Sequence, residues 1–450
     1  MKLLKRVLSC VCLLAMALSL TACGGGTSAE DENGTVTVTI GVIGDAVETD
    51  IINKLKEGFL AKEENKNIKI TTVKITGGYE TWTLQKMTTK TVPDMIQVYD
   101  YSSQYWTEKG LFRPISDLME RDGVKASDYN SSVIGMAQSG TDDNYYWLPR
   151  DYNKMVVCIN TEMFEAAGIE KPSDDWTMQD FYNVCQQLKA KEDQIKAVTK
   201  QTKFYPAEMK LNSAEVYYPF IRAYGGDLFD TQGGNVTVFK NLDQVKQGTN
   251  ALLKYADEGL AFPPDTNAVA FINKQAAMIF TARPNVASYA ERLDNKIDFV
   301  SIPTIEDRAE GEASYIGMGC TGYAITSSCD EARVEAAWKF LKYIASEEGQ
   351  EILGAMGSGI PVLNSLLESE DSAWRKFISE DLNHEAFIKY PERDLPAHSY
   401  LDEIPTDKKL TVYNTLMTKL LKEVYEEDMS ARDDYYISNL KATLDRNLAP

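Results

Sequence analysis

Histidine is scarce: His384 and His398 are the only two in 450 residues, too few for a histidine-built zinc centre or a Ser-His-Asp triad. Cysteine is little better represented in the body of the chain. Cys158, Cys185, Cys320 and Cys329 have spacings that match no metal knuckle and no CxxC motif, so they predict buried free thiols, Cys158 in an apolar strand-like run and Cys185 on a helix. No nucleophile elbow or phosphate loop occurs. Positive charge is short as well: 47 Lys and Arg face 67 Asp and Glu, for a net charge of −20. That acidity excludes nucleic acid and anionic lipid headgroups as partners for the surface as a whole.

Long apolar runs are confined to the start. Lys2, Lys5 and Arg6 precede an apolar stretch, Val7–Leu20, that is short for a bilayer span and ends at small residues, which is the layout of an export signal. Leu20-Thr21-Ala22-Cys23 resembles the lipobox of bacterial lipoproteins. The resemblance implies a signal peptide over 1–22, diacylglycerol attachment at Cys23, and a glycine-led tether over 23–34 with too little apolar content to pack. The expected location is the outer face of the cytoplasmic membrane.

The rest of the chain alternates strand and helix patterns. TVTVTIGVIGD alternates Val36, Val38, Ile40 and Val42, Ile51, Ile52, Leu55 and Phe59 share a helical face, and NIKITTVKI returns to strand, giving a β-α-β unit. PDMIQVYD reads as a buried strand. YYWLPRDYNKMVVCIN reads as a loop and then a strand, and Thr177 with Asp180 forms a capping box opening a helix. Stripes at 334–344 and 413–424 predict two more helices with core-facing aromatic and methionine residues. Such alternation predicts an α/β fold with ligand contacts at the strand ends.

The order of these segments, with EKGLFRPISDLM, FIRAYGGDLFDTQGGNVTV, FINKQAAMIFTARPN, EAAWKFLKYIASEEGQEIL and GIPVLNS, resembles the extracellular solute-binding proteins of ABC transporters, in particular the sugar-binding family that includes maltose-binding protein. The resemblance spans the whole mature chain. It implies a two-lobed periplasmic-binding-protein-like (type II) fold with a hinged interlobe cleft: lobe 1 from 35–148 and 305–360, lobe 2 from 149–304 and 361–450. It also implies a binding protein and not an enzyme, a monomer that needs no cofactor and hands its ligand to ABC permease subunits.

Carbohydrate sites combine carboxylates and amides for hydroxyls with flat aromatic rings for pyranose faces. Loops after the strands offer Asp45, Tyr79, Trp82, Tyr99 and Asp100 on one side. Arg150 and Asn153 of WLPRDYN are expected near the crossing, the one facing the cleft set by strand phase. Tyr217, Tyr218 and Arg283 are expected on the other side. Asp45 also fits a helix N-cap. Arg283 stands where many relatives carry a stacking tryptophan, leaving an anionic ligand open, and the adjacent tyrosines leave a ferric ligand open. A surface glycoside hydrolase is the enzymatic alternative.

Overall fold

The computed structural model describes residues 34–264, 269–426 and 431–449. The signal segment and the lipid site expected at Cys23 lie outside the described residues. In chain order the strands are β1 (Val36–Ile43), β2 (Ile68–Ile75), β3 (Met95–Tyr99), β4 (Leu148–Lys154), β5 (Val156–Asn160) and β6 (Tyr205–Glu208). They continue with β7 (Asp227–Gln232), β8 (Asn235–Lys240), β9 (Ala276–Thr281), β10 (Ile297–Ser301), β11 (Ile316–Ile325) and β12 (Asp394–Pro396).

Two sheets organise the molecule. One has six strands in the order β12-β11-β3-β1-β2 with β4 paired to β11, and the other has four in the order β10-β5-β9-β6. The β-α-β unit is present: β1 and β2 pair in parallel from Val36↔Ile68 to Ile43↔Ile75, joined through helix α1 (Ala46–Ala61), which buries Ile51, Ile52, Leu55 and Phe59. Asp45 starts that helix by accepting from the Glu48 amide at 2.7 Å, a cap that contributes about 1 kcal/mol. Helix α2 (Tyr79–Thr89) precedes β3, and α3 (Asp100–Glu108) leaves directly from its end. In the second sheet β5 and β9 are buried along their whole length. Their residues alternate between two hydrophobic cores, Cys158 and Ile279 in one, Val157 and Phe280 in the other, as a covered central strand must. Helix α4 (Met178–Ala190) begins at the capping box of Thr177 and Asp180. Helix α5 (Ala214–Ala223) and the C-terminal α7 (Lys409–Glu426) cover the second core, and α6 (Glu331–Ile344) covers the first. All four cysteines of the described residues are buried and free.

The crossing between the sheets differs from the sequence reading. The strand expected after the loop begins at Leu148: β4 pairs antiparallel with β11 from Leu148↔Tyr323 to Lys154↔Met318, with a register shift between Thr321 and Gly322. Pro149–Lys154, expected in lobe 2, thus lies in the first sheet, and the chain passes to the second sheet at Met155. The sequence left the phase of this strand open because Arg150, Asp151 and Lys154 are polar yet buried, so no apolar alternation marks it. Each is satisfied by ion pairing. Arg150 pairs with Glu48 and Asp151, and Lys154 pairs with Asp394 while donating to the carbonyls of Lys389 and Tyr390 at 2.7 and 3.0 Å. Asp394 itself, on the C-terminal side of the proposed lobe boundary at 360, belongs to β12 and returns the chain to the first sheet beside Ile316–Met318.

Strand β11 therefore touches everything at the crossing. A Cβ at Gly317 would sit 2.0 Å from the Glu215 carbonyl oxygen, so only glycine permits this approach between the crossing strand and α5. Gly317→Ala is expected to part the two by more than a side chain can absorb and to cost about 1–3 kcal/mol. Urea titration measures it; an unchanged midpoint would show the contact to be unimportant.

Candidate functional site

A cavity of about 450 Å³ opens between the sheets. Three walls meet there. Tyr99, Asp100 and Tyr101 come from the end of β3 and the first turn of α3, the strand-end position where open α/β sheets bind ligands. Asn153, Met155 and Gly319–Thr321 come from the crossing, and Ser213, Glu215, Phe280 and Thr281 come from the starts and ends of α5 and β9. The segment after β12 adds His398 and, on α7, Tyr413.

Asp100 is held from behind. Its Oδ1 accepts the Tyr101 amide at 2.8 Å and its Oδ2 the Cys320 amide at 3.3 Å. A side chain at Gly319 would come within 2.8 Å of that Oδ2, so glycine there leaves the carboxylate room. Burial, reinforced by Glu215 and opposed by His398 and the two amides, pushes the Asp100 carboxyl up to about 6.

Asn153 is oriented by its neighbour in the strand. Asp151 is buried, and its Oδ1 accepts from Asn153 Nδ2 at 2.9 Å and from Thr321 Oγ1 at 2.9 Å. A carboxylate only accepts, so the amide group of Asn153 must point at it. The carbonyl Oδ1 of Asn153 is thereby left out of contact with solvent and without a hydrogen-bond partner. Aromatic surface lies on the other side. Tyr101 stacks on Tyr413 with centroids 4.5 Å apart and planes at 2°, and on Tyr99 at 5.5 Å and 23°. Its hydroxyl donates to Glu80 at 2.6 Å. This ladder joins the first sheet to the C-terminal helix.

Of the residues expected from sequence, Tyr99, Asp100 and Asn153 line the cavity. The others do not. Asp45 is exposed and caps α1. Tyr79 is buried behind Tyr99, its hydroxyl donating to the Gln97 carbonyl at 2.7 Å, and Trp82 is a core residue with Lys86 over its ring. Arg150 is spent on its pairs with Glu48 and Asp151. Tyr217 and Tyr218 are both buried in the core on α5, removing the pair on which a ferric site would depend. Among the described residues no group of three His, Cys, Asp or Glu could hold a metal ion. Arg283 is fully buried, donating to the Trp374 carbonyl at 2.6 Å and contacting His384 Nδ1 at 2.9 Å. Burial lowers its pKa to about 9, and it cannot grip an anionic ligand from there. Helical phase explains the tyrosine error: α5 turns its buried face, with Tyr217 and Tyr218, into the second core and leaves Ser213 and Glu215 at its start by the cavity. Tyr413 and His398 were not anticipated, because helical spacing alone marks Tyr413 as core and nothing in the sequence brings 398–413 back to β3.

The family described as bacterial extracellular solute-binding protein has a model that matches residues 59–379. Among solved structures the chain is similar to UgpB from Mycobacterium tuberculosis in complex with glycerophosphocholine, at 15% identity and TM-score 0.72, covering 92% of this chain and 100% of that one. It is also similar to the ABC substrate-binding protein Lmo0181 from Listeria monocytogenes in complex with cycloalternan, at 16% identity and TM-score 0.69, covering 92% and 98%. The maltose-maltodextrin binding protein of Alicyclobacillus acidocaldarius matches at 13% identity and TM-score 0.68, covering 92% and 99%. At such identities the likeness is one of fold, the two-lobed α/β fold expected from sequence. No curated protein sequence matches the chain significantly.

The raised pKa of Asp100 has a sign that can be checked. Between its ordinary value of 3.8 and about 6 the folded protein binds the extra proton, so this group lowers stability as pH rises through that window. Asp100→Asn is therefore expected to be more stable than the parent at pH 7.5, by on the order of 1 kcal/mol, with the difference gone at pH 4. Denaturant unfolding at the two pH values decides it. A variant less stable at pH 7.5 than at pH 4, relative to the parent, would contradict the assignment.

Proposed function

The chain belongs to the bacterial extracellular solute-binding family, and from that premise we propose that it is the lipid-anchored substrate-binding subunit of an ABC importer, capturing an oligosaccharide by closure of its cleft and delivering it to the permease. The observation that supports this most is the two-sided cavity: Tyr99 and Asp100 face it from the end of β3 in the first sheet, Ser213 and Glu215 from the start of α5, which packs on the second core. A solute bridging them stabilises the closed arrangement by touching both lobes at once. A second chamber of about 260 Å³ shares Asp100, Tyr101 and His398 with the first, which favours an extended ligand over a single ring. Carboxylates, an oriented amide and tyrosine faces are the groups that bind hydroxyls and pyranose faces. The proposed lobes are 35–154 with 316–360 and 394–396, against 156–301 with the C-terminal helices; Met155 and the 302–315 segment are the crossings. The protein works as a monomer tethered outside the cytoplasm through Cys23.

One observation favours a second reading. Asp100, raised to about 6, and Glu215 together have the chemistry of a glycosidase acid and base. Chromatography of sugars after prolonged incubation separates the two: a binding protein returns them intact.

A panel of oligosaccharides screened by thermal shift and small-angle scattering tests the main reading. A ligand at a hundredfold excess over its dissociation constant should add roughly 2.7 kcal/mol of stability, with a smaller radius of gyration and no change in mass. Stabilisation without compaction would count against closure. For the hit so identified, Asp100→Ala should weaken affinity roughly tenfold to a hundredfold by removing a charged hydrogen bond. Cys23→Ser should release the protein from the membrane fraction; retention there would refute the anchor.

A further inference from the structure

The space between the walls does not end at Asp100. Beyond it lies the second chamber of about 260 Å³, and beyond that a third of about 470 Å³. The second and third share Gln104, Gly135, Asp402 and Lys409, as the first and second share Asp100, Tyr101 and His398. Tyr101, Gln104 and Glu108 follow one another at helical spacing, so a single face of α3 floors all three chambers. The trough runs about 12 Å from Asp100 to Glu108. One side of it is the 135–146 loop, which is braced before any ligand arrives. Gln104 Nε2 donates to the Gln138 carbonyl at 2.8 Å, Gln138 Nε2 to the Asp143 carbonyl at 3.0 Å, and the Tyr146 amide to the Ala137 carbonyl at 3.0 Å. The other side runs from Pro396 to Lys409.

The far end holds a buried charge short of partners. Lys409 is 6% exposed, and the one hydrogen bond its ammonium makes among the described residues is to Asp402 Oδ1 at 3.5 Å, the outer limit for such a bond. An ammonium has three protons to donate, and burying it with most of them unused is costly. Ligand oxygen in the trough fills that need. Glu108, Asp143 and Asp402 also line the third chamber, so its net charge is negative and an anion is disfavoured. A hydroxyl accepts from Lys409 and donates to a carboxylate, and meets both kinds of group.

We infer that the third chamber is an outer binding site for a linear, uncharged oligosaccharide that runs from the main cavity along α3, with Lys409 as the residue that grips its outer end; the inference rests on the carbohydrate reading above. The two ends of the trough hold the chain differently. Tyr101, Met136, His398 and Leu401 give the second chamber apolar and aromatic surface for ring faces. The third chamber has no aromatic or aliphatic side chain among its lining residues, and holds the chain by hydrogen bonds alone. Together the three exceed the roughly 1,000 Å³ at the top of the range for small-molecule sites, which a mono- or disaccharide leaves largely unfilled.

The test is calorimetry on the mature chain at pH 7 with linear oligomers from dimer to hexamer in three series, α-1,4-linked glucose, β-1,4-linked glucose and β-1,4-linked mannose. In the series that binds, affinity is expected to rise with length and the hexamer to bind at least about tenfold tighter than the dimer. Lys409→Met, which keeps the apolar stem and removes the ammonium, should cost the hexamer about tenfold and change the dimer less than about twofold. Glu108→Gln, at the other edge of the third chamber, should act in the same direction, with circular dichroism confirming both folds. Equal affinity for dimer and hexamer would overturn the inference while leaving the carbohydrate reading standing. So would hexamer affinity unchanged in both variants, or a loss shared equally by dimer and hexamer. Binding of no member of the three series would overturn it too, and the wider sugar panel would then decide the carbohydrate reading by itself.

Discussion

Every feature of the site leads back to the antiparallel pair of β4 and β11 and to the one carboxylate buried in it. Asp151 lies opposite Thr321 at the point where the ladder shifts register, and it gathers Arg150, Asn153 and Thr321 around itself. A buried charge of this kind is costly unless its lone pairs are filled, so the partners are held tightly. Through Arg150 the grip extends to Glu48 in the first turn of α1. Through Asn153 and Thr321 it reaches the cavity wall. The same carboxylate therefore anchors the crossing and aims the groups that a ligand meets.

Polar groups at the crossing also hold its strands together. Lys154 and Asp394 are buried together, with the ammonium filled by two further carbonyls and Asp394 accepting from Tyr152 at 2.6 Å. Breaking such a cluster costs several kcal/mol, so in the proposed closure it would move as a unit, and the backbone change would fall to the neighbouring Met155 and to the segment between β10 and β11. Gly317 and Gly319 complete the arrangement by permitting backbone and carboxylate to come close. The tyrosine ladder, by contrast, is held by ring contacts worth about 0.5–1.5 kcal/mol each beyond their burial. A ligand can rearrange it at small cost.

How far the sequence could be read depended on whether an element announced itself through apolar periodicity. The first β-α-β unit, the capping box at Thr177 and Asp180 and the helix over 331–344 did so, and the segment order pointed to the family. Tyr99 and Asp100 were legible because an aromatic and an acid at the exit of an apolar strand have few other uses. The phase of β4 was not, since Arg150, Asp151 and Lys154 are charged and their burial depends on Glu48, 102 positions from Arg150, and on Asp394, 240 positions from Lys154. Arg283 and Tyr217 were misjudged for the opposite reason: residue types that often bind ligands were recruited into cores by Trp374, His384 and Tyr400. His398 and Tyr413 enter the cavity only through the path of the chain after β12, which no local pattern encodes.

The account stands on a solute lying between the two sheets at the crossing. The most direct measurement is a crystal structure of the protein with the tightest-binding sugar of the panel. Density for that sugar in the cavity between Asp100 and Glu215, beside Tyr99 and Tyr413, is the result the account predicts. Density on the outer face of either sheet, with the cavity walls in contact only with water, would contradict it.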